Sequence, residues 1–344
     1  MSPRVLQVSA PRLRAGIIGA GLMGRWHGEA IRRQGGRVTA IMDKDPAAAA
    51  ALARLHSGAV AITNLDDLPA ATRLDVLHIC TPTPSHPRLA ARAMEMGLHV
   101  LVEKPLAATA AETRDLLAQA AAQKRLLCPV HQFLFQDGVI RARRHLARLM
   151  PIRHLEISIF SAGGSHLPAA HADSVLAEIL PHPLSLLQEF LAKDVDQVAW
   201  SVQRPAHGEL IVTACVAGTA VRIHLSLNAR PTECALRLRG DGGSLDADLF
   251  HGYSCARHAG VSRAHKVMGP FATAAGGFAA ASLNLIRRTV KWEPAYPGLR
   301  PLIGAFYAAV AGAGPSPLSA SHILAVAAAR DAISREGNMA AGKT

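Results

Sequence analysis

Between Leu13 and about Cys128 the chain alternates short apolar runs with longer amphipathic ones. LRAGII, RVTAIM, LDVLHIC, LHVLVE and RLLCPV read as strands. GLMGRWHGEAIRRQ, DPAAAAALARLH, HPRLAARAMEMG and AAETRDLLAQAAAQ read as the helices between them. Strands without a polar face cannot border water, so the pattern predicts a parallel sheet with helices on both sides. Right-handed crossovers make that sheet doubly wound.

After about residue 150 the pattern changes. IRHLEISIFSAG, QVAWSVQR, ELIVTACVAG, TAVRIHLSLNA, ECALRLRG and GSLDADLF are strand-like runs parted by turn residues, with one predicted helix from about Pro181 to Ala192. Consecutive strands predict an antiparallel sheet and an α+β second domain. PLIGAFYAAVAG and SHILAVAAARDAIS read as closing helices. The stretch from about Arg257 to Pro297 fits neither pattern: FATAAGGFAAASLNLIRRTVKW is apolar and then basic. It suits a membrane surface or a cover over a site, and its small residues equally suit an insertion packed on the sheet.

The 344 residues suit about two domains, and 50% hydrophobic with 18% charged residues excludes disorder. Lys and Arg total 37 against 25 Asp and Glu, a net charge of +12. The arginines are spread from Arg4 to Arg335 with no basic and aromatic cluster, so specific nucleic-acid binding is not expected. Cys80, Cys128, Cys215, Cys234 and Cys255 form no CxxC pair, the usage of a reducing compartment. No run reaches the roughly 18 apolar residues of a membrane span, and the first residues do not read as a secretory signal. The expected location is the cytoplasm.

Gly19-Ala20-Gly21-Leu22-Met23-Gly24 follows a predicted strand and opens a predicted helix, the context in which GxGxxG signals a Rossmann dinucleotide site. Gly19 permits the tight turn, Gly21 the approach of a pyrophosphate and Gly24 close helix–strand packing, while the amides of Leu22 and Met23 point at the phosphates. Asp43 ends the second strand, 24 residues after Gly19, near the spacing of an acid that binds the adenosine ribose. It favours NAD; Lys44 beside it could instead pair with a 2′-phosphate, which keeps NADP open. Thr81-Pro82-Thr83-Pro84-Ser85-His86 and Glu103-Lys104-Pro105 follow later strands, at the carboxyl edge where ligands of such sheets bind. A lysine ending a buried strand is costly unless it meets a carboxylate, a cofactor or a substrate.

Together, GxGxxG, the acid after the second strand, TPxxxH, EKP and an antiparallel second domain resemble the Gfo/Idh/MocA oxidoreductases, relatives of glucose–fructose oxidoreductase and inositol dehydrogenase. The resemblance implies α/β plus α+β architecture: an N-terminal doubly wound Rossmann domain over residues 1–130, with Thr81, Pro82, His86 and Glu103 on its cofactor side. A mostly antiparallel open-sheet domain over 131–344 would serve substrate binding and oligomerisation, with closing helices from about residue 300 free to pack back on the first. It also implies NAD or NADP as cofactor, a cis peptide before Pro105, a sugar, polyol or nucleotide-sugar substrate, and a homo-oligomer built on the open sheet.

The family's DxGxHxxD signature corresponds here to Glu178 through Ser185, with His182 at the catalytic histidine, Glu178 at the first acid and Ser185 at the last. Serine supplies no charge. Pro181 and Pro183 are tolerable only in a first helical turn, which places Glu178 ahead of the helix that carries His182. Where relatives often carry Asn-x-Arg-Phe, this chain reads His131-Gln132-Phe133-Leu134, so Leu134 replaces an arginine and His131 or Gln132 takes over substrate contacts. The resemblance makes His182 the general base, Lys104 the donor that steadies charge on the reacting oxygen, and Glu178 the group that orients them. A redox-neutral sugar-modifying enzyme and a non-catalytic nucleotide-binding protein are the alternatives. Arg222, Arg230, Arg237 and Arg239 would suit a diphosphate. No metal is expected: the 17 histidines show no HExxH or other ligand spacing, and GxSxG and GxxxxGK[ST] are absent.

Overall fold

Six parallel strands order the N-terminal part of the computed structural model, which describes residues 12–68, 72–162, 167–191, 195–260, 262–291 and 295–341. They are β1 (Arg14–Ile18), β2 (Arg37–Met42), β3 (Val60–Ile62), β4 (Val76–Ile79), β5 (His99–Val102) and β6 (Leu127–Pro129), in the order β3-β2-β1-β4-β5-β6. The order of strand addition reverses between β1 and β4, the point where such sheets open a crevice. Helices α1 (Leu22–Arg33), α2 (Pro46–Ala53), α3 (His86–Glu95) and α4 (Ala110–Ala122) supply the crossovers. Their starts follow from sequence: Asp45 caps α2 ahead of Pro46, and Thr109 with Glu112 forms a reciprocal capping box at α4. β3 escapes the sequence pattern because three residues are too few to show a period.

By Cα proximity the chain falls into two units, Met1–Val130 with Leu299–Leu324, and His131–Gly298 with Ala325–Thr344. Within the first, α9 (Leu299–Val310) lies against α1 and buries Phe306 and Tyr307 completely.

The second unit contains α5 (Asp137–Leu149), β7 (Ile152–Phe160), α6 (Ala169–Ile179) and α7 (Pro181–Leu191). They are followed by β8 (Ser201–Gln203), β9 (Glu209–Val216), β10 (Thr219–Ser226), β11 (Glu233–Gly240), β12 (Gly243–Asp248), β13 (Tyr253–His258) and α8 (Arg263–Lys291). The last helix, α10 (Ala320–Ala341), is divided between the units. The seven strands run β13-β12-β11-β7-β10-β9-β8. Every pair is antiparallel except β7 with β10, which makes the sheet mostly antiparallel as expected. A parallel pair needs a long connection, and α6 and α7 lie within it. One sheet face is core, with Leu155, Ile157, Val212, Ile223 and Leu236 fully buried, and the other carries Glu156, Arg222, Arg237 and Asp246. The unassigned stretch after Arg257 is mostly α8, whose side contacts β13.

Candidate functional site

The glycine loop between β1 and α1 shows a different physical need at each position. Gly19 sits at φ +97°, and a Cβ there would lie 2.6 Å from Cys80 O. A Cβ on Gly24 would lie 1.9 Å from Gly19 O, so α1 meets the strand only without a side chain. At Gly21 a Cβ would meet no atom of the described residues within 4 Å, and the backbone is one that any residue adopts. Packing does not require glycine there; its absent side chain opens a cradle at the start of α1. The helix has no side-chain cap and no acid in its first turn, which leaves the early amides of Leu22 and Met23 to that cradle.

Asp43 ends β2 beside this loop. Its Oδ2 accepts from Ala20 N at 2.7 Å and its Oδ1 from Asp45 N at 3.0 Å, and two carboxylate oxygens keep further acceptor capacity. Lys44 next to it is exposed. After β4, Thr81 Oγ1 and Ser85 Oγ are 2.6 Å apart, in the turn that also holds Pro82. His86 is buried, with Nε2 2.7 Å from Thr81 O and Nδ1 2.8 Å from Pro105 O. Both ring nitrogens are thus engaged by main chain, and His86 ties the turn after β4 to the EKP segment after β5. The Lys104–Pro105 peptide is cis, as the resemblance implies. Lys104 itself is half-buried.

Behind the EKP segment lies a buried polar chain. Glu103 Oε1 is 3.0 Å from His27 Nε2, His27 Nδ1 is 2.9 Å from His78 Nδ1, and His78 Nε2 is 2.9 Å from Tyr307 Oη. One direction satisfies every member: Tyr307 donates to His78, His78 to His27, and His27 to Glu103. Burial pushes the Glu103 carboxyl up, but the hydrogen bond from His27 leads the opposing effects, which hold the group below the usual carboxylate value. Burial, with His27 adding to it, holds His78 well below the usual imidazole value.

In the second unit His182 stands in the first turn of α7, buried and stacked on Phe133 with ring centroids 4.2 Å apart and planes 13° from parallel. Both rings line a cavity of about 920 Å³, together with Gln132, Gln136, Tyr296 and Arg288. Gln132 Oε1 and both amide atoms of Gln136 are buried and find no hydrogen-bond partner among the described residues. Gly298 lets residues 295–298 close over the turn Gln132–Phe135, since a Cβ there would lie 2.1 Å from Gln132 O.

Glu178 is exposed in the last turn of α6, ahead of the helix that Pro181 and Pro183 begin, as those prolines imply. Other sequence expectations land elsewhere. Ser185 Oγ donates to His182 O at 2.9 Å, a bond internal to the helix. His131 is buried at the start of the Gln132–Phe135 turn and is not part of the cavity lining, and Leu134 is core. Of the arginines proposed for a diphosphate, Arg237 pairs with Glu233 and Arg239 with Asp246 on the polar sheet face, so their charge is already offset. No sequence signal marks Gln136, Arg288 or Tyr296, because the fold brings them from segments without a readable period.

Residues 13–131 match the family described as "Oxidoreductase family, NAD-binding Rossmann fold", Gfo/Idh/MocA. The match is confined to this N-terminal stretch, which is similar to the Rossmann domain of the Gfo/Idh/MocA oxidoreductases. It is 42% identical over 96 residues to an inositol 2-dehydrogenase of Corynebacterium glutamicum, a match covering 27% of this chain and 28% of that protein. A scyllo-inositol 2-dehydrogenase (NADP(+)), IolU of Bacillus subtilis, is 25% identical over 234 residues, covering 62% of this chain and 69% of the relative. Among solved structures, the UDP-N-acetylglucosamine 3-dehydrogenase GnnA of Acidithiobacillus ferrooxidans superposes with a TM-score of 0.75 at 18% identity, over 96% of this chain and 99% of that one. The last likeness shows that the two chains share a fold along nearly their whole length.

Proposed function

We propose that this protein is an NAD(P)-dependent oxidoreductase that acts on a CH–OH group of a sugar, polyol or nucleotide sugar. The observation that carries the reading is the second unit's cavity, where a buried imidazole shares the wall with amides that lack partners. Unpaired buried amides are costly, and a ligand rich in hydroxyls satisfies them.

The glycine cradle fits a pyrophosphate, with Gly19, Gly21 and Gly24 shaping it and the Leu22 and Met23 amides facing it. Asp43 would accept the ribose hydroxyls; its charge opposes a 2′-phosphate, so we propose NAD over NADP despite Lys44. Thr81 and Pro82 would border the cofactor, while His86 and Glu103 position the loops through their bonds to main chain and His27. Bound there, a nicotinamide dinucleotide supplies the hydride acceptor or donor. His182 takes the proton of the substrate hydroxyl as its carbon gives up hydride, and its unperturbed counterpart titrates near pH 6.5, suited to that task. Lys104 donates to the oxygen on which charge develops, and Glu178 offsets the positive charge. Gln132 and Gln136 hold other hydroxyls, with His131 packed behind Gln132. The polar face of the second sheet is the proposed surface for a homo-oligomer, and five cysteines outside any disulfide suit the cytoplasm.

Titration with NADH and NADPH, followed by tryptophan fluorescence through the half-buried Trp26, tests the first half of this reading. Tighter NADH binding is expected; tighter NADPH binding would show that Lys44 outweighs Asp43. Lys104→Ala should abolish turnover of a polyol or nucleotide sugar while NADH affinity stays nearly unchanged. An unaffected rate would remove Lys104 from the chemistry.

A further inference from the structure

Helix α8 is built the wrong way round for a helix resting on its own protein. The side toward β13 carries small and polar residues: Thr273 meets Arg257 at 3.2 Å, Gly276 lies under Cys255, and Asn284 donates to His251 O at 2.9 Å. The opposite side carries Val267, Phe271, Phe278 and Leu285, four, seven and seven residues apart and so in one stripe, with Ile286 and Val290, four apart, widening it on one flank. These side chains are exposed, Phe271 by 69%, Phe278 by 76% and Val290 by 81%. Of the 12 large apolar side chains that stand exposed among the described residues, eight are on α8. A soluble protein rarely leaves such a contiguous patch without a partner surface.

Charge decides which surface. From Leu249 to Trp292 the sequence has no Asp or Glu, while Arg257, Arg263, Lys266, Arg287, Arg288 and Lys291 fall within it. Asp137 of α5, 3.2 Å from Lys291, and Asp246 of β12, paired with Arg257, are the acids that the neighbouring elements are seen to offer this stretch, which leaves the other basic residues to give it its charge. In sequence, basic residues thus flank the uncharged stripe on both sides. Pairing α8 with a second copy would set cations against cations in either direction, whereas an anionic lipid surface meets both the stripe and the charge. The helix has 29 residues, but no described helix is apolar enough to cross a membrane, so α8 would lie in the interface plane.

We propose that α8 docks this protein on anionic phospholipid bilayers, its apolar stripe in the headgroup–acyl boundary and its basic ends at the phosphates. Leu285 belongs both to the stripe and to the cavity lining, so docking brings the cavity rim to the lipid surface.

Co-sedimentation of the full chain with vesicles tests this. Vesicles of phosphatidylcholine with phosphatidylglycerol should carry the protein down, vesicles of phosphatidylcholine alone should not, and added salt should release it. Phe271→Glu with Phe278→Glu alters two outward side chains and should lower the bound fraction at least about tenfold with NADH binding retained. Absence of sedimentation with anionic vesicles would overturn the proposal, as would equal sedimentation of the double variant. So would a sedimentation-velocity shift from oligomer to monomer in that variant, because a second copy would then be covering the stripe. The vesicle result is independent of whether the enzyme assignment holds.

Discussion

Gly21 and Gly24, three residues apart, are glycines for opposite reasons, and substitution separates them. A Cβ at Gly24 collides with the backbone of Gly19, so Gly24→Ala should cost about 1–3 kcal/mol, read as a lower unfolding midpoint. Gly21 is the N-cap of α1 and has open space around it. Asp is a better N-cap than Gly and suits the helix dipole, so Gly21→Asp should leave stability unchanged or raise it by a few tenths of a kcal/mol. The same carboxylate would fill the cradle and repel a phosphate, and NADH affinity should fall at least tenfold, or about 1.4 kcal/mol. Unfolding curves together with NADH titrations of both variants check this: loss of affinity without loss of stability at Gly21 marks a ligand cradle.

At the scale of elements, the chain Tyr307–His78–His27–Glu103 joins β4, α1, α9 and the end of β5 through buried polar groups. His78 is held neutral in the fold, its pKa depressed below that of the unfolded chain. The unfolded state therefore takes up a proton that the folded state refuses, so the stability it contributes is present above about pH 6.5 and lost as pH falls. Burial shifts His56 and His99 the same way. Glu103, also depressed, contributes above about pH 4.3 and loses that contribution below it. The unfolding midpoint should accordingly fall as pH drops through about 6.5, and an unchanged midpoint down to about pH 5 would contradict the assignment. His27→Leu removes the partner of a buried carboxylate and should cost about 3–5 kcal/mol near neutrality. Burial then acts on Glu103 with its main opponent gone, so the gap to the wild type should narrow toward pH 4 (about the unperturbed carboxylate value).

Over the whole molecule, residues 299–324 belong with a unit whose other members end at Val130. Tyr307 is fully buried there and completes the polar chain 229 residues away from His78 in sequence. Burial raises its phenol far above the ordinary value, so it stays protonated and serves as a donor. Tyr307→Phe keeps the ring and removes that donor, leaving His78 Nε2 buried and unsatisfied. The expected cost is about 1–3 kcal/mol, measurable by denaturant unfolding in the presence and absence of NADH.

Strand and helix periods, the glycine loop, Asp43 and the EKP segment are local signals. They made the N-terminal sheet, the dinucleotide cradle and the family resemblance readable because each depends on neighbours within a few residues. The place of His182 at a helix start was also legible, since Pro181 and Pro183 are tolerable only in a first helical turn, whereas its role rests on the family resemblance. The parallel pairing of β7 with β10, the recruitment of α9 to the first unit and the buried histidine chain were not, because they join residues separated by tens to hundreds of positions. Gln136, Arg288 and Tyr296 became cavity residues only when three segments without a period closed around one volume. The reversed amphipathicity of α8 had the same origin: composition showed an apolar and basic stretch, and only its packing on β13 determined which side was left facing outward.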